Sequence, residues 1–160
     1  MTNDRDVTLA RAEPADMDLV AALSIEAYAP YIPIMGAKPL PITEPYGPRI
    51  ERGEVWLLRV GGELAGVLVL ELHPDHAMLY SVAVMPGRQG EGHGGRLLRL
   101  AEAQARAAGL GEIRLYTNAL MSRNVALYSA LGYRETGRRP HPRLRDNTLV
   151  DMTKHLDAAA

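Results

Sequence analysis

Apolar positions along this chain change their spacing several times, and each change marks an element. Val7 to Arg11 alternates apolar and polar and predicts a first strand. Pro14, Asp16 and Asp18 then suit the first turn of a helix, and Leu19, Val20, Leu23 and Ala27 fall at helical spacing to about Tyr28. Six of the eleven prolines lie between Pro30 and Pro48, which excludes one continuous helix there. Val55 to Val60 and Glu63 to Leu72 read as a hairpin around Gly61-Gly62, and His73-Pro74-Asp75-His76 as the next turn. Leu79, Val82, Ala83 and Val84 form a short buried strand that Pro86 ends. Leu97, Leu98, Ala101, Ala105 and Ala108 then give a helical stripe from about Gly92, closed by Gly109. Ile113 to Thr117 is a strand, Ser122 can cap a helix to about Ala130, and Leu131-Gly132-Tyr133 turns into another strand. A basic loop with Arg138, Arg139, Arg143 and Arg145 leads to a last strand, Thr148 to Lys154. The expected order is β-α-(loop or α)-β-β-β-α-β-α-β-β: an α/β mixed sheet with helices on its faces, as one domain over residues 1–160.

Composition changes this picture mainly by exclusion. Eighteen basic against nineteen acidic residues give a net charge of −1, so no overall field recruits nucleic acid or an acidic membrane. The chain has no cysteine, which removes disulfides, thiolate nucleophiles and cysteine-based metal sites together. The N-terminal stretch MTNDRDVTL carries no apolar signal core, and a cytoplasmic protein, monomeric or homodimeric, is the expectation.

Chemistry concentrates after the Leu79 to Val84 strand. Gly87, Gly90, Gly92, Gly94 and Gly95 fall within nine residues and run into a helix start. That order makes an anion site, because unpaired N–H groups and the positive end of a helix dipole converge. Gly90, Gly92 and Gly95 fit the dinucleotide spacing, but they lie too far past the strand, and no acid closes the next strand. A phosphate loop of the nucleotide-hydrolase type also fails, since no Lys-Ser/Thr follows the glycines. The pattern [Q/R]-x-x-G-x-[G/A] does fit Gln89-Gly90-Glu91-Gly92-His93-Gly94. It resembles the acetyl-CoA signature of the GNAT superfamily of N-acetyltransferases, with the Val-Ala-Val strand before it and Arg96-Leu97-Leu98 after it. The run Asn124 to Tyr133 resembles that superfamily's N-x-x-A-x-x-[LY]-Y-x-x-x-G-[FY] region, and the element order resembles its fold along nearly the whole chain.

The resemblance implies acetyl-CoA as co-substrate, a primary amine as acceptor and direct attack in a ternary complex. It places the pyrophosphate around Gln89, Gly90, Glu91, Gly92, His93, Gly94, Gly95 and Arg96. The pantetheine arm and thioester carbonyl would lie along Val82, Ala83 and Val84, on a strand that carries a bulge and splays from its neighbour. Asn124 and Tyr128 share a helix face, being four apart. The resemblance gives Asn124 to the cofactor arm, and Tyr128 to the sulfur as general acid. Tyr28, Tyr31, Met35, Tyr46 and Tyr80 are the candidate acceptor contacts, most of them in or beside the proline-rich segment, which reads as an ordered wall. The superfamily often places a carboxylate just before the Val-Ala-Val run, where this chain has Tyr80 and Ser81. The base therefore stays open among Glu26, Glu71, His73, His76, Tyr80 and a water chain. No metal site is expected. The alternatives are a non-catalytic acyl-CoA-binding or regulatory module of the same fold and, more distantly, a nucleotide-binding module built on Gly90, Gly92 and Gly95.

Overall fold

The computed structural model describes residues 6–157. The first five residues, part of the N-terminal stretch read above, and the last three lie outside the described residues. Seven strands make one sheet: β1 (Val7–Arg11), β2 (Val55–Val60), β3 (Glu63–Leu72), β4 (Ala77–Val84), β5 (Glu112–Asn118), β6 (Arg134–Pro140) and β7 (Thr148–His155). They lie in the order β1-β2-β3-β4-β5-β7-β6, and every neighbouring pair is antiparallel except β4 with β5. This is the expected mixed sheet.

Both faces of its centre are buried, which is why β2 and β3 read as nearly continuous apolar runs. Successive side chains still go to opposite faces. Leu58, Leu68 and Leu70 join one core with Leu97, Leu98, Ala101 and Ala105 of α5 (His93–Ala107). Leu57, Val67 and Val69 join the other with Val20 and Leu23 of α1 (Met17–Tyr28). Gly66 lets α5 press onto β3. A Cβ there would stand 2.9 Å from the Leu97 side chain and 3.3 Å from the Ala83 carbonyl.

The prolines break the segment after α1 into short pieces: a single 3₁₀ turn at Ala29–Tyr31, then α2 (Ile32–Met35), α3 (Leu40–Thr43) and α4 (Tyr46–Glu51). Pro30, Pro33 and Pro41 sit in first turns, where a missing N–H costs no helical bond. Two expectations are corrected. Ser122 is the first residue of α6 (Ser122–Ala130) rather than its cap, a place taken by Met121 without a side-chain bond. Arg138 and Arg139 lie within β6, because Glu135 and Asp151 pair their guanidinium groups along the sheet. Only Arg143 and Arg145 of that cluster belong to the β6–β7 loop.

Candidate active site

The site begins where two parallel strands part. β4 and β5 pair only at Ala77 with Ile113, Met78 with Arg114, and Leu79 with Leu115. Beyond Leu79, the edge of β4 that faces β5 has no strand partner among the described residues. A bulge accompanies the parting: Leu70 pairs with Leu79 and Val69 with Ser81, so Tyr80 is the extra residue. One inserted residue shifts the alternation by one. Tyr80 packs against the α1-side core, and Ser81 turns to the same side to meet Tyr28, while Val82 and Val84 return to the α5 side.

A cavity of about 550 Å³ opens along that unpaired edge. Val82, Ala83 and Val84 form one side of it. Gln89, Gly90, Gly92, His93, Gly94 and Gly95 form its floor at the start of α5. Gly92 caps this helix at φ 86°, a left-handed conformation that disfavours any side chain. Asn124 and Leu127 of α6 close the cavity opposite, with Arg123 beside them. Arg123 carried no signal in the sequence beyond its place next to Asn124. Glu91 and Arg96 lie outside this lining; Glu91 approaches His93 at 3.3 Å and Arg88 at 3.8 Å. His93 is buried, and its Nδ1 has no hydrogen-bond partner.

A smaller cavity of about 80 Å³ lies on the other side of the gap. Its walls include Tyr28, Met35, Tyr80, Tyr116, Asn118, Asn124, Tyr128 and His141. Tyr28 and Asn124 border both cavities, so the two meet at those side chains. The Tyr28 hydroxyl lies 2.8 Å from Ser81 Oγ and 3.4 Å from the Val82 carbonyl. Tyr128 is buried under the junction, its ring 5.7 Å from that of Tyr133. Burial first, and then the neighbouring Tyr28, Tyr133 and Tyr31, push its phenol well above the ordinary tyrosine range. It therefore stays protonated at neutral pH.

The five expected acceptor contacts separate. Tyr28, Met35 and Tyr80 border the small cavity. Tyr31 borders the large one. Tyr46 borders neither: it is 2% exposed, and its hydroxyl donates to the Pro41 carbonyl at 2.6 Å. Its expected acceptor contact is thus corrected to packing, and burial pushes its phenol up to about 12.

The open question of the base narrows by position. Glu26 is exposed on α1, and His73 and His76 stack together at the β3–β4 turn; none of the three lines either cavity. Glu71 is held by Arg49 at 2.9 Å and His73 at 2.8 Å. Burial works to raise its carboxyl, but those hydrogen bonds outweigh burial and hold it below its usual range. Arg49 also binds Glu44 at 2.7 Å and Glu54 at 3.0 Å, and stacks 4.0 Å over the Tyr80 ring. Tyr80 in turn donates to Glu44 at 3.0 Å. This buried network ties α4 to β3 and the bulge. Nothing in the sequence pairs Arg49 with Glu71, 22 residues further along the chain.

His141 is a second residue that sequence reasoning passed over. The β6–β7 loop brings it to the small cavity, and Asn147 anchors that loop by accepting from Asn118 Nδ2 at 2.7 Å. Among the described residues no group of three or more His, Cys, Asp or Glu is placed to hold a metal. Nor is any of their helices long and apolar enough to cross a membrane.

Comparison with known proteins agrees with this geometry. An uncharacterized N-acetyltransferase of Bacillus subtilis, YvbK, is 33% identical over 86 residues, 53% of this chain and 56% of that protein. The chain thus spans little more than half the length of this curated relative. The fold matches the PaiA N-acetyltransferase of Thermoplasma acidophilum, solved with coenzyme A, at a TM-score of 0.80. Identity there is 16%, over 94% of this chain and 99% of that one. The ribosomal-protein-S18-alanine N-acetyltransferase of Escherichia coli matches at 0.73, with 21% identity and 96% of each chain covered. The sequence profile of the acetyltransferase (GNAT) family matches residues 26–133, from the end of α1 through Tyr133. The glycine loop, the splayed strands and α6 all fall inside that match, and the chain belongs to the acetyltransferase (GNAT) family.

Proposed function

We propose that this chain transfers the acetyl group of acetyl-CoA to a primary amine, by direct attack within a ternary complex. The observation that carries this reading is the meeting of two cavities at Tyr28 and Asn124, in the gap between β4 and β5. The larger cavity suits a long, anionic co-substrate. Backbone N–H groups of the glycine loop and the start of α5 face its pyrophosphate, and the unpaired edge at Val82 to Val84 takes the amide-rich arm. Backbone donors on that edge polarise the thioester carbonyl, an effect worth about 10²–10³ in rate at comparable oxyanion sites.

The acceptor enters from the small cavity. Its nitrogen forms a bond to the carbonyl carbon, the carbon–sulfur bond breaks, and the departing sulfur keeps the electron pair. Tyr128 donates its O–H toward that sulfur. A phenol raised so far by burial yields its proton reluctantly, so its contribution is a strong hydrogen bond to developing charge. The amine's surplus proton leaves through water, since no carboxylate lines either cavity among the described residues. With no cysteine in the chain, a thioester enzyme intermediate has no attachment point.

That missing carboxylate favours a second reading, a module that binds acyl-CoA without turnover. One experiment covers both: thermal stability with acetyl-CoA, NAD or ATP, followed by release of free CoA across a panel of amines. Saturating acetyl-CoA at a hundred times its Kd stabilises a one-site binder by about 2.7 kcal/mol. Stabilisation with CoA release supports the transferase. Stabilisation without release across the panel supports the module. Stabilisation by NAD or ATP alone overturns both.

A further inference from the structure

The small cavity has an unusual electrostatic character for a site that receives an ammonium ion. Among the described residues lining it there is no Asp, Glu, Lys or Arg. The walls are phenols, carboxamides, one aliphatic hydroxyl, apolar side chains and one imidazole. Glu44 stands one hydrogen bond behind Tyr80, outside the lining, and is tied at 2.7 Å to Arg49, which it shares with Glu54 and Glu71. A multiply charged aliphatic amine would leave water for such a wall with no opposite charge to meet it. The acceptor must also be neutral when it attacks, and no carboxylate stands ready to take its proton. An α-amino group titrates near ~8 and an alkyl ammonium near ~10.4. At pH 7.5 roughly a quarter of the former but only about 0.1% of the latter is neutral. The cavity is thus built for an amine that loses its proton to water unaided.

His141 adds the second half. Its Nδ1 accepts two backbone N–H groups of its own loop, from Arg143 and Leu144, each at 3.0 Å. An acceptor nitrogen carries no proton, so the neutral ring holds its proton on Nε2. In that tautomer the imidazole that lines the cavity is a donor at Nε2. A donor beside the amine site suits a carbonyl next to the amine.

We propose that the acceptor is an α-amino group with an adjoining carbonyl, such as a peptide N-terminus with a small uncharged first residue, and that His141 donates from Nε2 to that carbonyl. This rests on the transferase reading above. It assigns His141 to substrate selection and gives it no part in the chemical step.

The test compares kcat/KM at pH 7.5 for L-alaninamide, a short peptide beginning with alanine, propylamine, spermidine, and a lysine peptide blocked at its N-terminus. Alaninamide and the alanine peptide should exceed the other three by about 200-fold, the ratio of their neutral fractions. His141→Ala should shrink the ratio of alaninamide to propylamine about tenfold, the upper range for one hydrogen bond. His141→Gln, which keeps an acceptor and an N–H donor, should restore part of it. Preference for spermidine or the lysine peptide overturns the proposal while leaving the transferase reading intact. So does an unchanged ratio in folded His141→Ala. Acetyl-CoA binding with no turnover on any of the five overturns both.

Discussion

The two cavities meet at the same pair of side chains, yet they are built from different material. The larger one has one side and a floor built on backbone, a strand edge left unpaired beyond Leu79 and a glycine loop running into α5, with side chains such as Tyr31 and Leu127 closing the rest. The smaller one is made of side chains gathered from α1, α2, α3, β4, β5, α6, β7 and the β6–β7 loop. Backbone that must approach a ligand closely has few sequences open to it, so it leaves a compact motif. A side-chain wall assembled by tertiary packing leaves none, because its members are scattered from Tyr28 to Leu149. The proposed cofactor side is thus fixed by local conformation, and the proposed acceptor side by how distant elements dock.

The sharpest way to break this contrast is at Gly92. Its φ of 86° strains any residue with a side chain, and valine most of all. No protein atom lies within 4 Å of where its Cβ would stand, so the added methyls would occupy the open space before the loop. Gly92→Val should abolish the thermal stabilisation by acetyl-CoA. Gly94 is the control: its φ is ordinary, and a Cβ would meet Leu127 at 3.5 Å, a normal contact. Gly94→Ala should therefore fold like the parent, and a loss of about tenfold in acetyl-CoA affinity would place the ligand against that backbone. Full stabilisation of Gly92→Val by acetyl-CoA would mean that the loop is not the phosphate site.

On the acceptor side, Tyr46 and Tyr128 test whether a side chain acts or merely packs. Tyr46→Ala deletes a buried ring from the core that joins α4 to α1, and should cost about 3–5 kcal/mol in urea denaturation. A folded Tyr46→Ala whose only defect is a raised acceptor KM would return this residue to the site. Tyr128→Phe keeps the ring and removes the donor. It should lower kcat by about 10- to 10³-fold, with stability and acetyl-CoA binding nearly unchanged. Parental turnover in the folded mutant would show that the departing sulfur is served from elsewhere.

Much of the fold was legible because its elements obey short-range rules. The alternation of β2 and β3, the apolar stripe of α5 and the prolines after α1 each predict local structure from neighbours in sequence. The glycine motif was legible for the reason given above. What escaped was long-range. Tyr46 lies between prolines like a loop aromatic, and only docking of α4 shows it buried. Arg138 and Arg139 read as loop until Asp151, twelve residues past Arg139, pairs that guanidinium across β6 and β7. The bulge at Tyr80 depends on register against β3, and register is a property of two strands. His141 becomes a defined tautomer only when its own loop folds back onto Nδ1.

Tyr28 belongs to both cavities, and there the contrast is weakest and the expected effect smallest. Burial raises its phenol above the ordinary tyrosine range, and the hydrogen bond with Ser81 offsets only part of that. In the unfolded chain the same phenol titrates near ~10. Below that pH both states keep the proton, and the contribution of this group to stability is constant. Above it the unfolded state binds fewer protons than the folded one, so stability falls as pH rises, until the folded phenol itself ionises. One such group supplies a slope of about 1.4 kcal/mol per pH unit. Tyr128, buried and raised in the same direction, supplies a second. Urea denaturation between pH 10 and 11.5 should show a steep decline in the parent. Tyr28→Phe should make it shallower by about 1.4 kcal/mol per pH unit. At neutral pH the same change should cost about 1 kcal/mol, since Ser81 Oγ loses its buried partner. An unchanged alkaline slope would show that Tyr28 titrates alike in both states. Its hydroxyl would then be open to solvent from one cavity or the other, and the junction would be wetter than the packing around Ser81 and Val82 implies.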